Sequence, residues 1–346
     1  MTSFIQLHLL TAYPPSNLNR DDLGRPKTAI VGGTERLRIS SQSLKRAWRT
    51  SEHFENALGD FKGTRTKRLG TEVYGKLISA DIREKDAEKW ASAIAAVFGK
   101  VKKENPLETE QLTHVSPEEW QAVMALAKAL AAKNREPEKE ELDLLREKPK
   151  AVDIALFGRM LAASPAFNVE AAAQVAHAIT VNQVEIEDDF FTAVDDLNTH
   201  EEDAGAGHMG DAGFSAGVFY QYLCIDRDRL VENLQGDGEL ANRAITSLTE
   251  AAARVAPTGK QNSFASRAYT SYLLAEKGGQ QPRSLSVAFL KPVRGDDLMT
   301  RAIEALKIQC DNFDRMYGDC ADERRAMNAH TGKGDTLKDI IDFVAD

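Results

Sequence analysis

The stretch that most constrains the fold is Phe4 to Leu10, where Ile5, Leu7 and Leu9 alternate with Phe4, Gln6, His8 and Leu10. A period of two is the pattern of a strand with one apolar face. Tyr13-Pro14-Pro15 ends it, because proline cannot donate to a β-ladder. A long loop through Gly24, Pro26, Gly32 and Gly33 is expected next. His8 falls on the face expected to be open and is read as a structural histidine before a ligand contact.

Helical periodicity takes over between about 85 and 148. Ser116-Pro117-Glu118-Glu119 forms a capping box with proline in the first turn, and Trp120, Val123, Met124, Ala127 and Leu130 supply its stripe. A second helix is predicted over 137–148. Val152, Ile154 and Leu156 alternate with Asp153, Ala155 and Phe157, which predicts a strand, and another is predicted over 175–184, with a helical alternative over 171–178. An acidic, glycine-rich excursion over 185–217 leads into a strand over 218–224. Further expectations are a helix over 240–255, a strand over 285–290, a helix over 296–317 ended by Gly318, and a short final helix. This order predicts an α+β fold, an interrupted ferredoxin-like sheet of the RNA-recognition-motif kind, although that motif's aromatic signature is missing.

Charge is segregated. The 346-residue chain carries a formal net charge of −9, yet Arg20 to Arg49 holds eight basic residues against Asp21, Asp22 and Glu35. Ser40 or Ser41 can cap a helix whose buried stripe is Leu44, Ala47 and Trp48. Gln42, Lys45, Arg46 and Arg49 then lie on its other side. A helix start with free N–H groups, hydroxyls and cations suits phosphates, and such segregation marks an anionic partner better than total charge does. A solvated amphipathic helix is the competing reading. Lys62, Arg65, Lys67 and Arg68 form a second basic tract without acids.

Other classes of function find little support. Cys224, Cys310 and Cys320 lack metal-ligand spacing and suggest a reducing cytoplasm. No membrane span, nucleotide-binding glycine loop or nucleophilic triad is visible. Asp21-Asp22 could form an acid–base or metal site, but adjacent carboxylates on an extended chain point apart. The acidic excursion fits no calcium loop. No cofactor is expected.

Several ordered runs resemble the CasC family, the backbone subunits of the type I-E CRISPR surveillance complex Cascade. They are Asn17 to Asp22, Val31-Gly32-Gly33, Arg38 to Arg46, Asp153 to Leu156, Gly158-Arg159-Met160, Ala176 to Thr180, Phe191 to Asp196 and Phe214 to Tyr220. The resemblance implies a palm over 1–59, 151–184 and 216–346, with C-terminal helices. It also implies helical fingers over 60–150 and a β-hairpin thumb over 185–215. It implies a non-catalytic subunit that polymerises head to tail on a CRISPR guide RNA, presents bases to a target DNA strand and contacts other Cascade subunits. Arg20, Lys27, Arg38, Ser40, Ser41, Gln42, Lys45, Arg46, Arg49 and Arg159 would hold the guide. Phe191 and Thr192 would wedge against a displaced nucleotide, with Phe167 as a second wedge. Two rivals stand beside it: a metal-dependent ribonuclease using Asp21 or Asp22, and a protein scaffold that binds no RNA.

Overall fold

In the computed structural model, residues 3–193 and 208–345 are described. β1 (Phe4–Ser16) leads to the hairpin of β2 (Thr28–Val31) and β3 (Thr34–Ile39), then to α1 (Ser41–Arg49) and α2 (Glu52–Leu58). Next come β4 (Thr64–Thr66), α3 (Leu69–Ile78), α4 (Glu84–Phe98), β5 (Thr113–Val115) and α5 (Pro117–Lys133). α6 (Val152–Phe157), β6 (Ala173–Val175), β7 (Ala178–Thr180), β8 (Glu187–Ala193) and β9 (His208–Asp226) follow. The remainder holds α7 (Arg227–Asn233), α8 (Gly238–Arg254), α9 (Gln261–Phe264), β10 (Tyr272–Gly278), α10 (Leu298–Tyr317), β11 (Glu323–Asn328), β12 (Lys333–Gly334) and α11 (Leu337–Ala345).

The main sheet runs β12-β11-β10-β1-β9-β7-β3-β2, with β6 and β8 also paired to β9. Its pairs are antiparallel. β1 is central: Leu7 faces Leu223 on one side and Ala275 on the other. Ile5, Leu7 and Leu9 pack with Leu44 and Trp48 of α1 and with Leu240, Ile245 and Leu248 of α8. Each such fully buried side chain contributes roughly 1.5–3 kcal/mol by leaving water. The mixed α+β expectation therefore holds, with a large antiparallel sheet as its frame.

The second face of β1 is not open, as the sequence suggested. Leu10, Tyr220 and Tyr272 are covered by Met299, Ile303 and Leu306 of α10 and by Phe289. His8 is fully buried there; its Nε2 lies 3.1 Å from Glu276 and its Nδ1 2.9 Å from the Tyr220 hydroxyl. Arg283 and Arg324 complete the neutralisation of Glu276. Burial and the two nearby arginines lower the His8 pKa against the pull of Glu276, so neutral His8 donates to Glu276 and accepts from Tyr220.

α3, α4 and α5 build a second core from Leu69, Val73, Trp90, Ile94, Val123 and Leu130. The capping box of Ser116 and Glu119 starts α5, with Pro117 in its first turn.

Several segments differ from expectation. Residues 152–157 are helix α6: all of 152–156 are buried, so alternation there carried no information about a face. Residues 137–148 hold only a 3-10 turn at Glu140–Leu142, since only Leu144 and Leu145 of that stretch are buried. Residues 286–289 form a 3-10 turn; Leu285 and Phe289 are buried four apart, and the Leu285 N–H donates to the Tyr220 hydroxyl. Finally, of the strand expected over 175–184 only β7 (Ala178–Thr180) is strand beyond the end of β6 at Val175, and β6 and β7 pair with β9 in registers one residue apart. The expected 17–40 loop contains the β2–β3 hairpin, whose turn residues Gly32 and Gly33 take φ of 58° and 77°. A Cβ at Gly32 would also strike the Leu290 carbonyl.

Candidate nucleic-acid interface

The start of α1 is fixed from two directions. The Ser40 hydroxyl accepts from the Ser43 N–H, and the Ser40 N–H donates to Asn19 Oδ1 at 2.8 Å. Asn17 ties the same loop to β9 by donating to the Gly213 carbonyl at 2.9 Å. Asp21 Oδ1 accepts from the N–H groups of Leu23 and Arg25, both at 2.9 Å. That carboxylate closes a turn, a common task for aspartate.

Cations gather around this frame. Arg38 on β3 donates from Nη1 to His177 Nδ1 at 3.0 Å, and His177 sits in the break between β6 and β7. Burial, Arg38 and Lys27 lower the His177 pKa, which favours the neutral ring that can accept from Arg38. The Lys45 ammonium lies 5.7 Å from the centre of the Phe157 ring, and partial burial lowers its pKa. Arg20, Lys27, Arg38, Lys45 and Arg46 make no ion pair with a carboxylate among the described residues. Cations left uncompensated in an acidic protein create a local field that attracts anions. Ser41 and Gln42 lie beside them in the first turn of α1, Gln42 exposed.

Other residues singled out in the sequence are engaged within the chain. Arg49 donates from Nε to Asp153 Oδ2 at 2.6 Å and from Nη2 to the Gly63 carbonyl. Asp153 also accepts from His114 Nε2 at 2.8 Å and the Gly63 N–H at 2.8 Å. Burial alone would raise the Asp153 pKa, but His114, Arg49 and Gly63 hold it low. Arg159 is buried and donates to both oxygens of Glu119, at 2.9 and 2.8 Å. Phe167 packs partly against the second core, and its carbonyl accepts from Arg159.

β8 and β9 extend from the sheet as a two-stranded arm, Glu187 opposite Phe214 and Ala193 opposite His208. Every residue of β8 is exposed, including Phe190, Phe191 and Thr192. The Phe191 ring lies over Gly210, where a Cβ would come within 2.7 Å of it. Residues 194–207 of the acidic excursion fall outside the described residues. In the second basic tract Lys62 pairs with Glu55, while Arg65 and Arg68 are exposed. Among the described residues no cluster of three or more His, Cys, Asp or Glu could hold a metal ion, and no helix is long and apolar enough to cross a membrane.

Nothing in the sequence assigns His177 or Asn19 a contact of its own, although both set the geometry here. Their partners are distant in sequence or backbone groups, and neither leaves a pattern. Ser40 and the basic spacing of α1 were the legible part.

Comparison with known proteins agrees with this architecture. A family model described as "CT1975-like protein" matches residues 5–342. A chain from a solved structure described as "CRISPR RNA-guided surveillance complex, pre-nicking" is 32% identical, with a TM-score of 0.85 and 99% of each chain covered. A chain from a second, described as "CRISPR RNA-guided surveillance complex", is 27% identical, with a TM-score of 0.74 and 99% of each covered. No curated protein sequence is significantly similar. With nearly its whole length matched by the family model, the chain belongs to the CT1975-like protein family.

Proposed function

We propose that the chain is an RNA-binding backbone subunit of a CRISPR RNA-guided surveillance complex, acting as the CasC subunit does in type I-E Cascade. The observation that carries this reading is the convergence of Arg20, Lys27, Arg38, Lys45 and Arg46, all without carboxylate partners, around one capped helix start. The long coverage of chains from such complexes supports it. Phosphate contacts position a strand without reading its bases. The bases then stay available for pairing with target DNA, so sequence is selected by the guide.

In this reading the main sheet is the palm, the second core the fingers, and the β8–β9 arm the thumb, on an RNA-recognition-motif frame. Phe191 and Thr192 meet the guide from the arm; base stacking on an aromatic ring is worth roughly 1–3 kcal/mol and tolerates any sequence. Copies associate head to tail, a heterologous contact that extends along RNA. The acidic arm of one copy, bearing Glu187, Asp189 and Asp211, approaches the basic face of the next. Arg49 and Arg159 support the site from within rather than touch RNA. The subunit is not an enzyme, and the turn-closing Asp21 is consistent with that.

Purified protein should carry host RNA and should bind labelled single-stranded RNAs of unrelated sequence with similar affinity. No RNA binding would refute the proposal. Magnesium-dependent cleavage that Asp21→Asn with Asp22→Asn abolishes would refute the non-enzymatic part.

A further inference from the structure

A cavity of about 580 Å3 opens where the ends of β1, α7, β10 and α11 meet. It lies at the start of β1, whereas Arg20 follows the end, so at about 3.3 Å per residue the 13-residue strand holds the two roughly 40 Å apart. Ile5 and Val344, both buried, form its apolar floor. Arg227 and Lys277 bring two cations to the wall, and Asp322 and Glu323 two carboxylates. None of the four makes an ion pair among the described residues; the Lys277 ammonium lies 4.4 Å from the centre of the Phe343 ring. Two polar atoms of the wall are buried without a hydrogen-bond partner among the described residues: Arg227 Nε, a donor, and Gln280 Oε1, an acceptor. The rest of each group is placed, since Arg227 donates from Nη2 to Asn242 at 3.0 Å and Gln280 from Nε2 to Asp322 Oδ1 at 2.6 Å. The second bond fixes which end of the amide is the oxygen. Gly278 makes room for that oxygen, because a Cβ there would lie 2.1 Å from it.

We propose that this cavity binds a small zwitterion of the amino-acid or dipeptide class. Its α-carboxylate meets Arg227 and Lys277, its α-ammonium meets Gln280 Oε1 and Asp322 Oδ2, and its apolar side chains lie on Ile5 and Val344. Buried polar atoms are ordinarily hydrogen-bonded, so a free donor and a free acceptor in one wall call for a ligand that accepts at one point and donates at another. Cations and carboxylates in equal number favour a ligand of no net charge, and the two carboxylates repel the phosphates of a nucleic acid. A guanidinium is suited to a carboxylate by its planar array of donors. The volume falls within the roughly 300–1,000 Å3 of small-molecule sites, which combine an apolar lining with a few placed polar groups. The site does not rest on the RNA-binding reading, from which it is separated by the length of β1.

The test uses the full chain in titration calorimetry with leucyl-leucine and two derivatives. N-acetyl-leucyl-leucine lacks the ammonium, and leucyl-leucinamide lacks the carboxylate. The wild type should bind leucyl-leucine saturably in about the millimolar range, and each derivative about tenfold more weakly, as for a lost charge-assisted contact. Arg227→Gln should narrow the gap between the dipeptide and its amide and leave the N-acetyl gap as it was. Asp322→Asn, which keeps an acceptor for Gln280, should narrow the N-acetyl gap alone. A folding defect would weaken all the peptides alike, so this crossed pattern reports contact with the two ends. No saturable binding of leucyl-leucine by the wild type would overturn the site and leave a recess that holds water alone. Equal binding of the dipeptide and both derivatives would overturn the zwitterion assignment. N-acetyl-leucyl-leucine bound as tightly as leucyl-leucine, with the amide weakened, would overturn the free ligand and assign the recess to the carboxyl end of a protein chain.

Discussion

Lys45 and Arg49 lie one helical turn apart in α1, and the sequence gives them the same role. The structure separates them by their partners: Arg49 reaches the buried carboxylate of Asp153, while Lys45 meets only the Phe157 ring. Arg49→Gln should therefore destabilise the fold, toward the lower end of the roughly 3–5 kcal/mol seen for broken buried pairs, because His114 and Gly63 still serve Asp153. Lys45→Gln should change stability by no more than about 0.5 kcal/mol. Denaturant unfolding of both variants checks this, and equal stabilities would contradict it. Acid should also find His8. Its pKa is lowered by burial, so below the ordinary histidine value of about 6.5 the unfolded chain takes up the proton first. Stability should fall as pH drops from there through the lowered folded value, with a slope of up to about 1.4 kcal/mol per pH unit. The depressed Glu276 acts in a separate window, its contribution being present above about 4.5 and lost only at lower pH. A flat stability profile between about pH 7 and 5 would contradict the assignment of His8 as neutral and buried.

At the scale of elements, legibility followed solvent exposure. Segments with one buried and one solvated side were readable: the capped α1, α5 with its capping box, and α8. Two segments buried all round were not, although β1, buried on both faces as well, kept its period of two. Val152 to Leu156 is enclosed entirely, so an apparent period of two survived in a helix. β10 leaves no alternating signal, because Leu273, Leu274 and Ala275 are buried together between strands. The hairpin before α1 turns at Gly32-Gly33, both at positive φ, a local two-glycine turn signal inside what otherwise reads as a long loop. The basic character of the site was readable, but the sorting of free from paired cations was not, since Asp153 and Glu119 are supplied by other elements. The β8–β9 arm makes its own test. With every residue of β8 exposed, replacing 188–212 by a short glycine turn should leave thermal unfolding of the main sheet nearly unchanged. The same variant should fail to form regular assemblies on guide RNA under the electron microscope; normal assemblies would remove the arm from both wedge and interface.

The whole molecule resolves a conflict between net charge and anion binding. Acidic residues dominate the chain, yet several acids are consumed by internal arginines, and among the described residues Arg20, Lys27, Arg38, Lys45 and Arg46 are left without carboxylate partners. Total charge sets the distant field, whereas the proposed strand would respond to the nearby one within about 8–10 Å at ordinary salt. An acidic protein can therefore grip RNA at one face and remain soluble elsewhere. The most direct test is the dependence of single-stranded RNA affinity on salt for wild type and for Lys27→Gln, Lys45→Gln and Arg46→Gln, singly and together. The account predicts that each substitution lowers the slope of log affinity against log salt by roughly 0.7 and does so alike for unrelated sequences. An unchanged slope in the triple variant, with the fold intact, would contradict it.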